Sequence, residues 1–310
     1  MSSYVRWGTA VFAAACPALA AAAGTPEAAS TWWIWPLALF IVCFALGVVA
    51  VPAGIGGGVL FVPIVSGFFP IHLDFVRGAG LLVALASALA ASPGLLRAGL
   101  ADLRLALPLT LLASASAIAG ALLGLALPAA VIETALGITI LSIAMLMWRA
   151  KSSDIPDAAR PDWLAAALRI NGVFHDHAQG REIAWQAHRT PLGVVLFAGI
   201  GLLAGVFGLG AGWANVPALN LVMGVPLKVA AGTSGFILSI VDSSAAWVYI
   251  NKGALLAIVA VPSVIGMMLG AFIGGRLLRI LKASSIRKLV IAMLLLAGLR
   301  VLTKGLGWWT

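Results

Sequence analysis

Two ten-residue segments, GIGGGVLFVP at 54–63 and GLGAGWANVP at 208–217, each set glycines at alternate positions ahead of a proline. Gly54, Gly56 and Gly58 with Pro63, and Gly208, Gly210 and Gly212 with Pro217, leave the main chain open to close approach by a ligand. A helix that begins after such a turn aims free N–H groups and the positive end of its dipole at whatever lies ahead, which suits an anion. Polar groups accompany the second copy. Asn215, Thr233 and Ser234 can hydrogen-bond a ligand, and Asp242 stands inside the apolar run 229–250. A carboxylate within a membrane span costs about 2.5–3.5 kcal/mol on insertion scales, which suits a proton or ion relay. The alternative is a structural acid paired with nearby hydroxyls. In the first copy the matching position is Ala88, so the fold alone does not require an acid there.

The elements that must position these groups are membrane helices. Of the 310 residues, 62% are apolar and 9% charged, and the mean hydropathy is +1.10, far from the balance of a water-soluble domain. Apolar runs occupy 32–51, 79–96, 105–127, 130–148, 191–207, 229–250, 254–275 and 286–303. About 20 apolar residues cross a bilayer. The composition therefore predicts an all-α polytopic membrane protein with about eight full transmembrane helices plus the two Gly/Pro-broken segments.

The motifs belong to a longer duplication. At one ungapped offset of 154 residues, Gly54 pairs with Gly208, Gly78 with Gly232, Gly99 with Gly253, Pro108 with Pro262 and Gly120 with Gly274. This divides the chain into a first membrane repeat at 32–149, a loop at 150–190 and a second repeat at 191–303. Paired interrupted helices at matching positions of two halves are the mark of a transporter site. If each broken segment crosses, each half has five elements and the halves are inverted. The loop then lies in the cytoplasm with most Lys and Arg, leaving only Arg77, Lys252, Arg300 and Lys304 outside. If the segments do not cross, the halves are parallel and the positive-inside rule is violated. Inverted repeats are the expectation. Alternating apolar and polar residues on both sides of Ala178-Gln179-Gly180 predict a β-hairpin in the loop, and residues 1–20 read as a signal peptide ending at Ala18-Leu19-Ala20.

Other chemistries are poorly supported. The net charge of +9 arises from loops between spans, so nucleic acid is not an expected partner. Cys16 and Cys43 show no metal spacing, and His72, His175, His177 and His188 lie outside the apolar runs, so neither metal nor cofactor is expected. Gly232-Thr233-Ser234-Gly235 matches a serine-protease pattern but has no histidine base in any apolar run, so an enzyme is not expected. Arg77 and Lys228 read as interfacial anchors, with attraction of anions to the mouth as the alternative. The expected partners are a small anion and the bilayer, and a homodimer is left open.

The two glycine motifs, the Gly232-Thr233-Ser234 stretch and the hairpin segment 170–188 resemble the sulfite exporter TauE/SafE family, also called the 4-toluene sulfonate uptake permease family, over residues 35–303. The resemblance implies a multi-pass transporter of the bacterial inner membrane that moves sulfite, sulfoacetate or other organosulfonates. It agrees with an anion site built from backbone amides and lacking a buried Arg or Lys. Two departures stand out: Ala211 replaces a glycine, and the first copy has Ala79-Gly80 where the second has Thr233-Ser234. The rival readings are a passive anion channel and a non-transporting assembly or anchoring factor that uses the hairpin.

Overall fold

The computed structural model describes residues 33–50, 56–97, 101–149, 162–168, 170–176, 181–277 and 283–308. The signal-peptide segment, Gly54, His177 and the start of the central loop lie outside them. Five helices come first: α1 Ile34–Ala50, α2 Gly57–Phe68, α3 Leu73–Arg97, α4 Leu103–Ala126 and α5 Ala129–Arg149. A short helix α6, Trp163–Ala167, leads into the antiparallel hairpin β1 Asn171–Asp176 and β2 Arg181–Gln186. Five more helices follow: α7 Thr190–Phe207, α8 Gly212–Pro217, α9 Leu227–Asn251, α10 Ala257–Leu277 and α11 Ala283–Gly305. A π-helical turn, Ala218–Val222, extends α8 beyond Pro217. Proline has no N–H to give the α-helical ladder, which accounts for the change of winding there.

This is an all-α polytopic membrane protein. Among the described residues six helices are long and apolar enough to cross a bilayer: α3, α4, α5, α7, α9 and α10. Helices α1 and α2 are apolar but shorter, at 17 and 12 residues. Large apolar side chains such as Leu111, Val195, Leu296 and Leu299 are exposed, as a lipid-facing belt requires.

Packing exchanges helices between the first five and the last five. Helix α1 lies mainly against α10, and α7 mainly against α4. Glycines let these pairs meet backbone to backbone. Gly266, Gly270 and Gly274 of α10 face the main chain at Phe40, Phe44 and Val48, so α1 and α10 run parallel. Gly120 and Gly124 of α4 face Leu202 and Val206 of α7 in the same parallel sense. The other two pairs are antiparallel. Gly137 of α5 meets Leu302 while Gly305 of α11 meets Thr134. Gly78 near the start of α3 meets Tyr249 near the end of α9, and the Asp102 amide just after α3 donates to Thr233 near the start of α9. Two apolar cores result. One joins α7, α8, α9 and α4 with Leu81 and Ala88 of α3 and the base of the hairpin, and the other joins α1, α2, α3, α10, α5 and α11 with Val206 and Phe207 at the end of α7.

In membranes such close contacts supply much of the helix–helix attraction, so small residues cannot grow there without cost. A Cβ added at Gly205 would lie 2.0 Å from the carbonyl oxygen of Ala117. Gly205→Ala is expected to destabilise the protein by about 1–3 kcal/mol, the usual range for overpacking. A lowered thermal midpoint in detergent checks it, and an unchanged midpoint would mean that α4 and α7 are free to separate.

Candidate functional site

The second motif is a helix–turn–helix break. Helix α7 ends at Phe207, Gly208 caps it at φ 67, and Gly210 turns again at φ 71 before α8 starts at Gly212. These left-handed positions favour glycine, which has no Cβ to strain there. Space is equally restricted. A Cβ on Gly208 would lie 2.3 Å from the Arg77 carbonyl oxygen, and one on Gly210 would lie 2.9 Å from Asp242 Oδ2. In the first copy, Gly56 is extended, at φ −60 and ψ 141, and α2 begins directly after it.

The two motifs meet at these helix starts. A Cβ on Gly212 would stand 3.1 Å from the Gly56 amide nitrogen, and one on Gly58 would stand 2.4 Å from the Leu209 carbonyl oxygen. Around this junction lie Ala84 of α3, against Gly58 and Gly210, and Leu238 of α9, against Gly212. Both stand near the middle of their 25-residue helices. The junction is therefore close to mid-bilayer height, roughly 18 Å from the helix ends at 1.5 Å per residue.

Electrostatics at the junction follow from both helices. The Gly57 amide at the head of α2 donates to Ser87 Oγ at 3.1 Å, and Ser87 in turn donates to the Ala84 carbonyl. At the far end of α2, Lys304 Nζ donates to the Ser66 carbonyl at 3.1 Å and Arg300 Nε to the Gly67 carbonyl at 3.3 Å. Lys304 also pairs with Glu133 at 2.8 Å. With the negative end of α2 held by cations, its positive end points at the junction.

Two fully buried polar side chains of the second half, Asp242 and Asn215, lie close to the junction. Asp242 packs against the Gly210 turn, with the Ala211 backbone amide facing its carboxyl. Asn215 is buried one turn into α8, and both of its amide atoms are unbonded. An orphan buried amide costs about 1–3 kcal/mol. Asn215→Leu is thus expected to raise the thermal midpoint in detergent while impairing function, a combination that marks a polar group kept for a ligand. A fall in the midpoint would point instead to a structural amide.

The structure brings Gly56, Gly58, Gly210, Gly212 and Asp242 together. Gly208 stands at the edge of the turn, and Pro63 and Pro217 lie within α2 and α8, away from their starts. Ser234 shares with Leu238 and Asp242 one face of α9 at four-residue intervals, about 6 Å beyond Leu238 toward the helix start. Thr233 is elsewhere: its hydroxyl accepts the Asp102 amide at 3.1 Å, so it ties α9 to the α3–α4 connection.

Arg77 corrects the expectation of an interfacial anchor and of a site without a buried cation. It is 1% exposed and the largest fully buried side chain among the described residues. The helix starts at Leu73, ahead of the apolar run, so Arg77 lies in its second turn with Asp74 one turn earlier to pair with it. Trp213 was also missed. It packs against both cores, and its indole N–H is buried and unbonded. The signal was a difference between copies, since Val59 occupies the matching place in the first motif.

The fold and this junction define a polytopic membrane protein in which two interrupted helices meet head to head within the bilayer, beside a buried acid. The family described as Sulfite exporter TauE/SafE matches residues 39–301, and the chain belongs to that family. It is similar to a protein of Bacillus subtilis (strain 168) named Probable membrane transporter protein YunE, with 24% identity over 279 residues that cover 86% of this chain and 98% of the relative. No solved structure matches the chain.

Proposed function

We propose that the protein is a secondary transporter of small sulfur-containing anions, namely sulfite, sulfoacetate or other organosulfonates, across the bacterial inner membrane. The observation that carries this reading is the head-to-head meeting of Gly56 and Gly212 beside Asp242. Backbone amides at Gly56, Gly58, Gly210 and Gly212 bind the anion, with Asn215 and Ser234 as side-chain partners. Family membership and the similarity to a probable membrane transporter support transport as the activity.

Asp242 carries the coupling proton. A charged carboxylate would repel an anion at the Gly210 turn, and a protonated one would not, so proton and anion load together. The two halves act as inverted repeats. Equivalent helices α3 and α9, and α5 and α11, run antiparallel, which supports inversion over the parallel alternative. The hairpin then faces the cytoplasm, and the group of α1, α2, α3 and α10 rocks against that of α7, α8, α9 and α4 to alternate access.

The test is uptake of radiolabelled sulfite and sulfoacetate into proteoliposomes, with and without an imposed pH gradient. Accumulation above equilibrium, driven by the gradient, is expected. Flux that only equilibrates would replace the transporter with a channel, and no flux of either anion would overturn the substrate class.

A further inference from the structure

Arg77 connects the turn of the second motif to the face opposite the hairpin. Its backbone lies against Gly208. Nη1 donates to the Val206 carbonyl at 2.9 Å, at the C-terminal end of α7. The guanidinium lies 5.7 Å from the Tyr249 ring centroid, and the Tyr249 hydroxyl donates to the neighbouring Gly205 carbonyl at 2.9 Å. Gly124 of α4 leaves the space that Nη1 occupies, since a Cβ there would be 2.8 Å away. Four helices thus hold one buried cation.

The guanidinium is only partly used. Nη2 pairs with Asp74 Oδ1, while Nε, on the same edge of the fork, makes no hydrogen bond. That edge is shaped to take two oxygens of one oxyanion in parallel. Asp74 supplies one oxygen, and its other oxygen faces His72 Nδ1 at 3.6 Å. Asp74 is also the accessible member of the pair, with its side chain 31% exposed against 1% for Arg77. An arriving anion therefore reaches the carboxylate first.

We propose that Arg77 is an oxyanion-binding residue on the path between the glycine junction and the face opposite the hairpin, with Asp74 as an internal stand-in that an arriving sulfonate, sulfite or carboxylate group displaces. The inference rests on the transporter reading. When the anion takes the Nε–Nη2 edge, the part-exposed Asp74 turns outward to water, and the bonds of Arg77 to α7 and its contact with α9 become free to break. Because Arg77 belongs to one rocking group and Val206 and Tyr249 to the other, the exchange loosens the joint between them.

The experiment measures anion binding apart from flux. Purified full-length protein in detergent is titrated with sulfite and with sulfoacetate, the thermal shift is read, and KM and kcat are measured in proteoliposomes. Asp74→Asn removes the competitor and keeps its shape, so it is expected to lower the half-saturating anion concentration and KM by about fivefold or more. Asp74→Glu is expected to restore wild-type values. Arg77→Lys loses the fork and is expected to raise both by about tenfold. An unchanged or raised half-saturating concentration in Asp74→Asn overturns the proposal, as does wild-type protein that shows no anion-dependent shift. Lower thermal midpoints without any change in anion dependence would make the pair structural and overturn it equally. Absence of flux in wild-type protein that still binds anions would instead sink the transporter reading.

Discussion

Asp242→Asn is expected to abolish accumulation driven by a pH gradient while leaving the protein folded. Asparagine has nearly the same volume and fills the same buried space against the Gly210 turn, but it cannot carry or release a proton. The Ala211 amide faces the Asp242 carboxyl, and an asparagine side-chain oxygen can keep accepting from it, so the substitution leaves no donor orphaned. Asparagine carries no charge to bury at mid-bilayer height, so stability is expected to hold or rise. Flux should persist only as exchange or downhill movement that ignores the gradient. The measurement is uptake into proteoliposomes across a range of gradients. Accumulation that still follows the gradient in the variant would take the coupling role away from Asp242.

A contrast between two glycines gives the second large effect. Gly56 has backbone angles any residue can adopt, and a Cβ there meets only Gly212, at 3.6 Å, an ordinary contact. Gly56→Ala is expected to fold with a stability change within about 0.5 kcal/mol, the usual range for a substitution that breaks no contact. Its methyl group nevertheless stands between the two helix starts proposed to hold the anion, so transport is expected to fall by tenfold or more, on the order of 1.4 kcal/mol of lost binding. Gly210→Ala differs in kind. At φ 71, with Ala84 Cβ 2.6 Å from the new methyl, it is expected to lose stability through backbone strain of about 1–2 kcal/mol plus the clash. Thermal midpoints and initial uptake rates measured side by side separate the two. If Gly56→Ala transported normally, the anion would not be held between the motifs.

Much of this arrangement was legible in the chain. Glycine at alternate positions with a proline five residues on marked both motif segments: at 208 and 210 glycine permits left-handed turns, and at 58 and 212 it permits the close approach of one motif to the other. The isolated acid at 242 was visible because the hydropathy around it left it without a solvated neighbour. Partnership across the bilayer was harder to read. Arg77 looked like an anchor because its neutralisation depends on Asp74, on the Val206 carbonyl at the C-terminal end of α7 and on the Tyr249 ring, and the last two lie more than a hundred residues away. Thr233 looked like a ligand because a hydroxyl near a motif carries no sign of which backbone amide it will satisfy. The assignment of α10 to α1 and of α4 to α7 is written only in glycine spacing, which shows that a helix has a close neighbour but not which one.

The exchange of α4 and α10 also bears on how the chain is made. Helix α1 leaves the ribosome long before the helix it packs against exists. At about 5–20 residues per second, the stretch from Ala50 to Ala257 takes about 10–40 s to synthesise. Throughout that interval the backbone-facing surface of α1 has only lipid or the insertion machinery to cover it. The core of α7, α8 and α9 can close as soon as α9 is in place, because α4 is already waiting. The core of α1, α2 and α3 must stay open until α10 arrives. Biogenesis is therefore sequential, with the later-made core completed first, and a chain interrupted before α10 would leave its N-terminal helices exposed to quality-control proteases.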